Sequence, residues 1–389
     1  MFFYFSACKT YVPRISFPGG AKAAEAETRR LKKRAKMLDL DNESFYGADL
    51  QIMTPGAKIR VSVTGSRGKS GVVRLLHSAF VACGLNARSR ITGVLPRELT
   101  PWGEIPLLRP FGASVAETKW WLSSLPADTE AITAENNAVS PDLQFVCPRL
   151  LVPTATVLTN IRPDHRAFWG ESEDDVAEAL SGALPRGGQI ILPEDVAARP
   201  PVLLAAEKKK LTLHAVRPLN DGELPPYLRV NMALALRVCE LHGLDARLCL
   251  GAMRALPPDI ADSRLLRYRE AELAFAFSIN DEESTAEYFS SLGWRREDTT
   301  LIYNHREDRA DRLYSFMEWI RAPGWRKVVI TGDRPGRSLG RLWKEIGSAE
   351  EFAALVSACG RSFGCGNVVY GFPLLFKLAL EEGKMKIGI

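Results

Sequence analysis

The chain reads as an α/β protein, with a doubly wound, mostly parallel domain built around a phosphate loop and a smaller α/β domain after it. Three observations predict this. A strand, a glycine-rich turn and a helix follow one another from Ile59 to Cys83. Short β-type runs then alternate with helical runs, the pattern of a parallel sheet covered on both faces. Pro257 and Pro258 interrupt the chain, and a second strand–helix series begins beyond them.

In IRVSVTGSRGKS, Ile59, Val61 and Val63 alternate with polar residues and stop at a glycine, as a strand does on entering a tight turn. Gly65 and Gly68 let the backbone curl so that successive N–H groups face an anion, within the run Thr64, Gly65, Ser66, Arg67, Gly68. Lys69 adds a charge for outer phosphates, and the Ser70 hydroxyl suits Mg²⁺. Val72, Val73, Leu76, Ala79 and Phe80 recur at helical spacing, so the loop opens a helix N-terminus. The general pattern GxxxxGK[ST] would place glycine at Val63, so what remains is the shorter TGxxGK[ST]. A plain surface turn is the bland alternative.

After the loop helix, residues 84–93 read as turn, strand and turn. Residues 96–110 read as a proline-rich excursion able to fold over a ligand, and 113–125 as a helix. A short strand over 131–134 ends at Glu135, and PTATVLTN (153–160) is a strand delivering TNIRPDH at its carboxyl end. A helix over 174–184, strands over 188–192 and 211–216, and a helix over 231–241 follow. In the second series, strands are expected over 273–279, 299–304, 327–331 and 367–370, with helices over 284–292, 310–320, 349–357 and 374–382. Their strand ends read SIND, YNHREDR, TGDRPG and CGN. The expected domains are an appendage at 1–56, a central domain at 57–258 and a C-terminal domain at 259–389.

Composition narrows the class. A length of 389 residues with 46% hydrophobic side chains supports two or three packed domains. A net charge of +5 suits anionic nucleotides and acidic substrates and gives no footprint for nucleic acid. No apolar run reaches transmembrane length. Seven scattered cysteines without a CxxC read as reduced core thiols of a cytoplasmic protein. KAAEAETRRLKKRAK (22–36) is a helix-forming run with a basic second half, read either as a solvated face or as a membrane- or partner-docking helix.

Four pieces stand in one order: TGSRGKS, the AEN around Glu135, TNIRPDHRAFWG and RVNMALAL. Together they resemble the Mur ligase superfamily of ATP-dependent amide ligases, which includes the folylpolyglutamate synthases. TAENNAVSPDLQ, YNHREDRADR and the closing FGCGN look most like its poly-γ-glutamate synthase (capsule ligase) branch. The resemblance covers residues 59–371. It implies a P-loop ATPase domain and a C-terminal α/β domain with ATP bound between them. It also implies Mg²⁺ on Ser70 and Glu135, a second metal on His165, and nucleotide contacts from Asn231, Arg264, Asp308 and Arg309. Asn280 and Asp281 stand where the family's C-terminal domain approaches the bond-forming centre, so Lys69, Glu135, His165, Asn280 and Asp281 form the expected catalytic set.

Two departures matter. The 58 residues before the first strand are too few for the family's nucleotide-sugar domain, and Ala179 stands where Mur ligases carry a carbamylated lysine. Each role also has an ordinary alternative: Glu135 as a surface carboxylate, His165 or Asn231 as a helix cap, Asp308–Arg309 as a surface ion pair.

The implied activity is ATP-dependent joining of a carboxylate to an amine through an acyl phosphate, with glutamate and a growing poly-γ-glutamate chain as substrates. Small membrane subunits of a capsule synthase and attachment at the inner face of the cell membrane are implied with it, and a homo-oligomer is allowed. The rivals are a ligase glutamylating a folate-like cofactor, a P-loop motor or switch in a membrane complex, and a silent nucleotide-binding scaffold.

Overall fold

The computed structural model describes residues 56–107, 114–163, 165–279, 281–368 and 371–381, the side chains of 166, 167, 308, 310 and 311 excepted. The basic run at 22–36, Asp164 and Asn280 therefore lie outside the described residues. The chain forms two compact units that divide after Leu256.

The first unit holds an eight-stranded sheet of β1 (Ile59–Thr64), β2 (Ala87–Ile91), β3 (Arg97–Thr100), β4 (Gly103–Pro106), β5 (Ala131–Glu135), β6 (Ala155–Leu158), β7 (Gln189–Pro193) and β8 (Thr212–Val216). Their order is β4-β3-β2-β5-β1-β6-β7-β8. All neighbours run parallel except β2–β3 and β3–β4. β1 lies between β5 and β6, so the chain crosses the sheet in both directions from it. In open α/β sheets such a switch opens a crevice beyond the strand ends.

Both faces of β1 are covered, which is why Val61 and Val63 are fully buried. On one face the loop helix, Lys69–Ala82, packs Val72, Val73, Leu76 and Phe80 into a core shared with helices Pro226–Leu241 and Ala246–Ala255. A separate core joins Val176, Ala177, Ala179 and Leu180 to Ile190 and Leu192. Ala179 is thus a packing residue of helix Glu173–Ser181. Among the described residues six cysteines are free thiols, five of them buried. No described helix is long and apolar enough to cross a membrane.

His77 sits inside the loop helix, with Nε2 donating to the Thr100 carbonyl at 3.2 Å and Nδ1 accepting from Ser89 Oγ at 3.0 Å. Burial is the main cause that lowers its pKa from 6.5 to about 4. The unfolded chain therefore takes up this proton first as pH falls. Stability from His77 should be level above pH 6.5 and decline between 6.5 and 4, by on the order of 3 kcal/mol. His77→Gln should flatten that part of a melting-temperature profile, and an unchanged slope would show that His77 does not drive acid sensitivity.

The second unit holds β9 (Arg264–Tyr268), β10 (Ala271–Phe275), β11 (Thr300–His305), β12 (Lys327–Gly332) and β13 (Arg361–Gly366), in the order β12-β11-β13-β10-β9. Only β9 is antiparallel. Its core is aromatic: Phe289 meets Trp319, Trp325 and Phe363 edge to face.

Four expectations change. Residues 97–106 are an antiparallel hairpin extending the sheet, not an excursion. The last strand is RSFGCG at 361–366 rather than 367–370. Its glycines hide the β pattern because a Cβ on Gly364 would lie 2.3 Å from the Phe277 ring. Arg264 opens a strand that the sequence pattern does not predict. Asn231 lies inside helix Pro226–Leu241, so it is not an N-cap.

Candidate active site

The site grows from the end of β1. Gly65 has φ 130° and Gly68 φ 77°, conformations that favour glycine. Space requires glycine at position 65 as well, since a Cβ there would come 2.2 Å from Thr159 Oγ1 and 3.0 Å from Thr159 N. Gly68 caps the loop helix with no side-chain hydrogen bond, so the first-turn N–H groups face outward as phosphate binding needs. Lys69 Nζ donates to the Gly65 carbonyl at 2.6 Å and lies 3.4 Å from the Ser66 carbonyl. The ammonium is thus held over the loop itself.

Glu135 ends β5, next to β1. The residue is only 4% exposed. Oε2 accepts from Ser70 Oγ at 2.9 Å and from the Thr92 N–H at 3.0 Å. Glu135 is therefore not a surface carboxylate. Ser70 and Glu135, which belong to motifs 65 residues apart, meet directly at the loop.

The donor set fits Mg²⁺: a hydroxyl and a carboxylate are hard oxygen ligands, and Mg²⁺ takes its remaining positions from water and phosphate rather than from an all-protein cage. Among the described residues no three His, Cys, Asp or Glu side chains gather into a metal cluster. His165 is thus not drawn into such a cluster with Glu135. It takes φ 45°, and its ring meets Trp169 edge-on at 5.0 Å. Its carbonyl accepts from the N–H groups of Phe168 and Trp169.

The TNIR segment docks on the phosphate loop, a role that its motif does not announce. Thr159 Oγ1 and Asn160 Nδ2 donate to the Arg67 carbonyl at 2.5 and 3.1 Å, and Asn160 Oδ1 accepts from Arg67 N at 3.0 Å. Ser66 Oγ donates to the Arg162 carbonyl and accepts from its N–H. Trp169 is a second residue absent from the expected set: its indole N–H donates to the Val139 carbonyl at 2.6 Å, tying the segment after Glu135 to the one after His165. The i, i+4 spacing of His165 and Trp169 is the signal that could have found it. Asn231 packs its amide against the loop, where a Cβ on Gly68 would lie 3.1 Å from Asn231 Oδ1.

In the second unit Asp281 caps helix Glu282–Ser291, its Oδ1 accepting from Ser284 N at 2.8 Å. Arg264 pairs with Glu381 at 2.9 Å and donates to the Asp259 carbonyl. Asp308 and Arg309 fall in a 3₁₀ turn just after β11, with Arg309 half-buried. Between the ends of β11, β12 and β13 lies a network that the sequence does not reveal. Asn304 Nδ2 donates to the Asn367 carbonyl, and its Oδ1 accepts from Thr331 Oγ1. Asn367 Oδ1 accepts from Arg312 at 2.8 Å.

Residues 264–376 match the family described as the poly-gamma-glutamate synthase CapB C-terminal domain. The chain is 28% identical over 280 residues to PGA synthase CapB of Bacillus subtilis (strain 168), covering 66% of this chain and 70% of that protein. It is equally identical over 280 residues to capsule biosynthesis protein CapB of Bacillus anthracis, covering 59% of that protein. Among solved structures, E. coli FolC in complex with DHPP and ADP has a TM-score of 0.62 at 15% identity, over 86% of this chain and 91% of that one. The bifunctional folylpolyglutamate synthase/dihydrofolate synthase of Yersinia pestis CO92 has a TM-score of 0.61 at 14% identity, over 97% of each chain. These two likenesses establish the fold. The chain thus matches the poly-gamma-glutamate synthase CapB C-terminal domain over residues 264–376 and resembles the CapB synthases over about two-thirds of its length, on the fold of the folylpolyglutamate synthases.

Proposed function

We infer that this protein is an ATP-dependent ligase that forms γ-glutamyl amide bonds, with glutamate and a poly-γ-glutamate chain as its substrates. The observation that carries the reading is the Ser70–Glu135 pair at the mouth of the TGSRGKS loop, in a chain similar to CapB synthases. The loop N–H groups and Lys69 hold the phosphates of ATP. Mg²⁺, when bound at Ser70 and Glu135, screens the γ-phosphate charge so that a carboxylate can approach. The γ-carboxylate then attacks phosphorus, ADP leaves, and an acyl phosphate results. The amine of a second glutamate attacks the acyl carbon, phosphate leaves, and the amine proton passes to solvent. Asn231 lies against Gly68 of the loop, and His165, whose ring meets Trp169, is proposed for the reacting carboxylate's side of it. Asp281, Asn280, Arg264, Asp308 and Arg309 are proposed for the second unit's share of the reaction. Asp281 already serves as a helix cap there. Attachment at a membrane rests on the charge of the basic 22–36 segment alone.

The acyl phosphate makes a specific prediction. With ¹⁸O-carboxyl glutamate as substrate, one labelled oxygen should appear in the released phosphate, and hydroxylamine should trap a glutamyl hydroxamate. A motor or switch would instead put solvent oxygen into phosphate. Unlabelled phosphate, while amide product accumulates, would reject this mechanism. A folate-like acceptor, the second reading, would give a glutamate chain joined to that cofactor, whereas the first reading gives a chain of glutamate alone.

A further inference from the structure

Beside the buried Glu135 carboxylate lies a second buried charge that no motif contains. Arg90, the penultimate residue of β2, is 0% exposed. Its Nη2 donates to Thr118 Oγ1 at 2.7 Å and reaches the main-chain carbonyl of Glu135 at 3.4 Å. The guanidinium lies 5.5 Å from the Trp121 ring centroid. β2 runs parallel to β5 with Arg90 opposite Ala134. Two residues after Arg90, the Thr92 N–H donates to the Glu135 carboxylate. One strand end therefore holds Glu135 twice, by its carbonyl through Arg90 and by its carboxylate through Thr92.

We propose that Arg90 is a positioning residue for Mg²⁺–nucleotide binding, fixing the Glu135 main chain so that the carboxylate meets Ser70 and the cation. Its effect is carried by Glu135, whose main-chain carbonyl it meets. The proposal rests on Glu135 being a Mg²⁺ ligand. The planar guanidinium matters because it spans hydroxyl, carbonyl and indole face at once, which a lysine point charge does not. Charge and geometry make opposite forecasts. A buried cation near a metal site repels Mg²⁺, so a purely electrostatic Arg90 would weaken metal binding and its removal would tighten it. A positioning Arg90 does the reverse.

The test is binding rather than turnover: a fluorescent ribose-labelled ATP analogue on the full chain, titrated with Mg²⁺. Arg90→Met and Arg90→Lys should each raise the half-saturating Mg²⁺ concentration by about ten-fold, the usual cost of losing a partner that orients a metal ligand. Binding of the analogue without Mg²⁺ should stay unchanged. Thr118→Val, which removes one hydroxyl, should shift Mg²⁺ in the same direction by less. Arg90→Met added to Glu135→Gln should cause no further shift. An unchanged or lowered Mg²⁺ requirement in the Arg90 variants, alongside a raised one in Glu135→Gln, overturns the proposal while leaving the metal role of Glu135 standing. If Glu135→Gln itself leaves the requirement unchanged, the metal role falls and the proposal with it. Should the Arg90 variants not fold, Thr118→Val decides, and an unmoved Mg²⁺ requirement there overturns it.

Discussion

Lys69→Ala is expected to lower nucleotide turnover on the order of 10²–10³-fold while leaving the fold intact. The ammonium donates to carbonyls of its own loop, at Gly65 and Ser66, so its removal leaves the packed core in place. The γ-phosphate loses a cation of the loop, and transferring phosphoryl groups gather negative charge that must be met by fixed positive groups. Circular dichroism and melting temperature should match the parent. A purified, folded variant that consumes ATP at the parental rate would take the TGSRGKS loop out of the mechanism.

Glu135→Gln should cost on the order of 10²-fold in turnover, with partial recovery at high Mg²⁺. The substitution keeps the side-chain volume of a residue that is 4% exposed, and the amide oxygen still accepts from Ser70 or Thr92. What it removes is the negative charge that a hard divalent cation requires. Its amide N–H₂ also brings a donor towards groups that are themselves donors. Mg²⁺ dependence equal to that of the parent would mark Glu135 as a buried structural carboxylate, with Ser70 and Thr92 as its hydrogen-bond partners and nothing more.

Much of this site is legible in the order of the residues. The loop can be read because glycine spacing, a terminal Lys-Ser and a helical apolar period coincide within 25 residues, from Ile59 to Cys83. Glu135 stands out as an acid at the end of a short apolar run, and β5 does end there. Asn231 looks like the start of a helix because asparagine favours caps. The helix begins at Pro226, whose fixed φ suits a first turn, and this places Asn231 inside it against Gly68. The glycine-rich RSFGCG strand is hard to recognise because its β character comes from neighbours: the Phe277 ring occupies the space a side chain at Gly364 would need.

Sequence alone settles the class of fold, the loop and the identity of the groups Lys69, Ser70 and Glu135, because each is written within a few consecutive residues. Local spacing carries backbone conformation and residue chemistry, and both survive without knowledge of partners. Which of these groups meet is a matter of tertiary structure. The bond from Ser70 to Glu135 crosses 65 residues, that from Asn160 to Arg67 crosses 93, and the contact of Arg90 with Glu135 crosses 45. Those separations are closed by strand order, β2-β5-β1-β6, which follows from burying apolar faces on both sides of one sheet. No local pattern records that order, so the support around Glu135 exists only where the strands lie side by side.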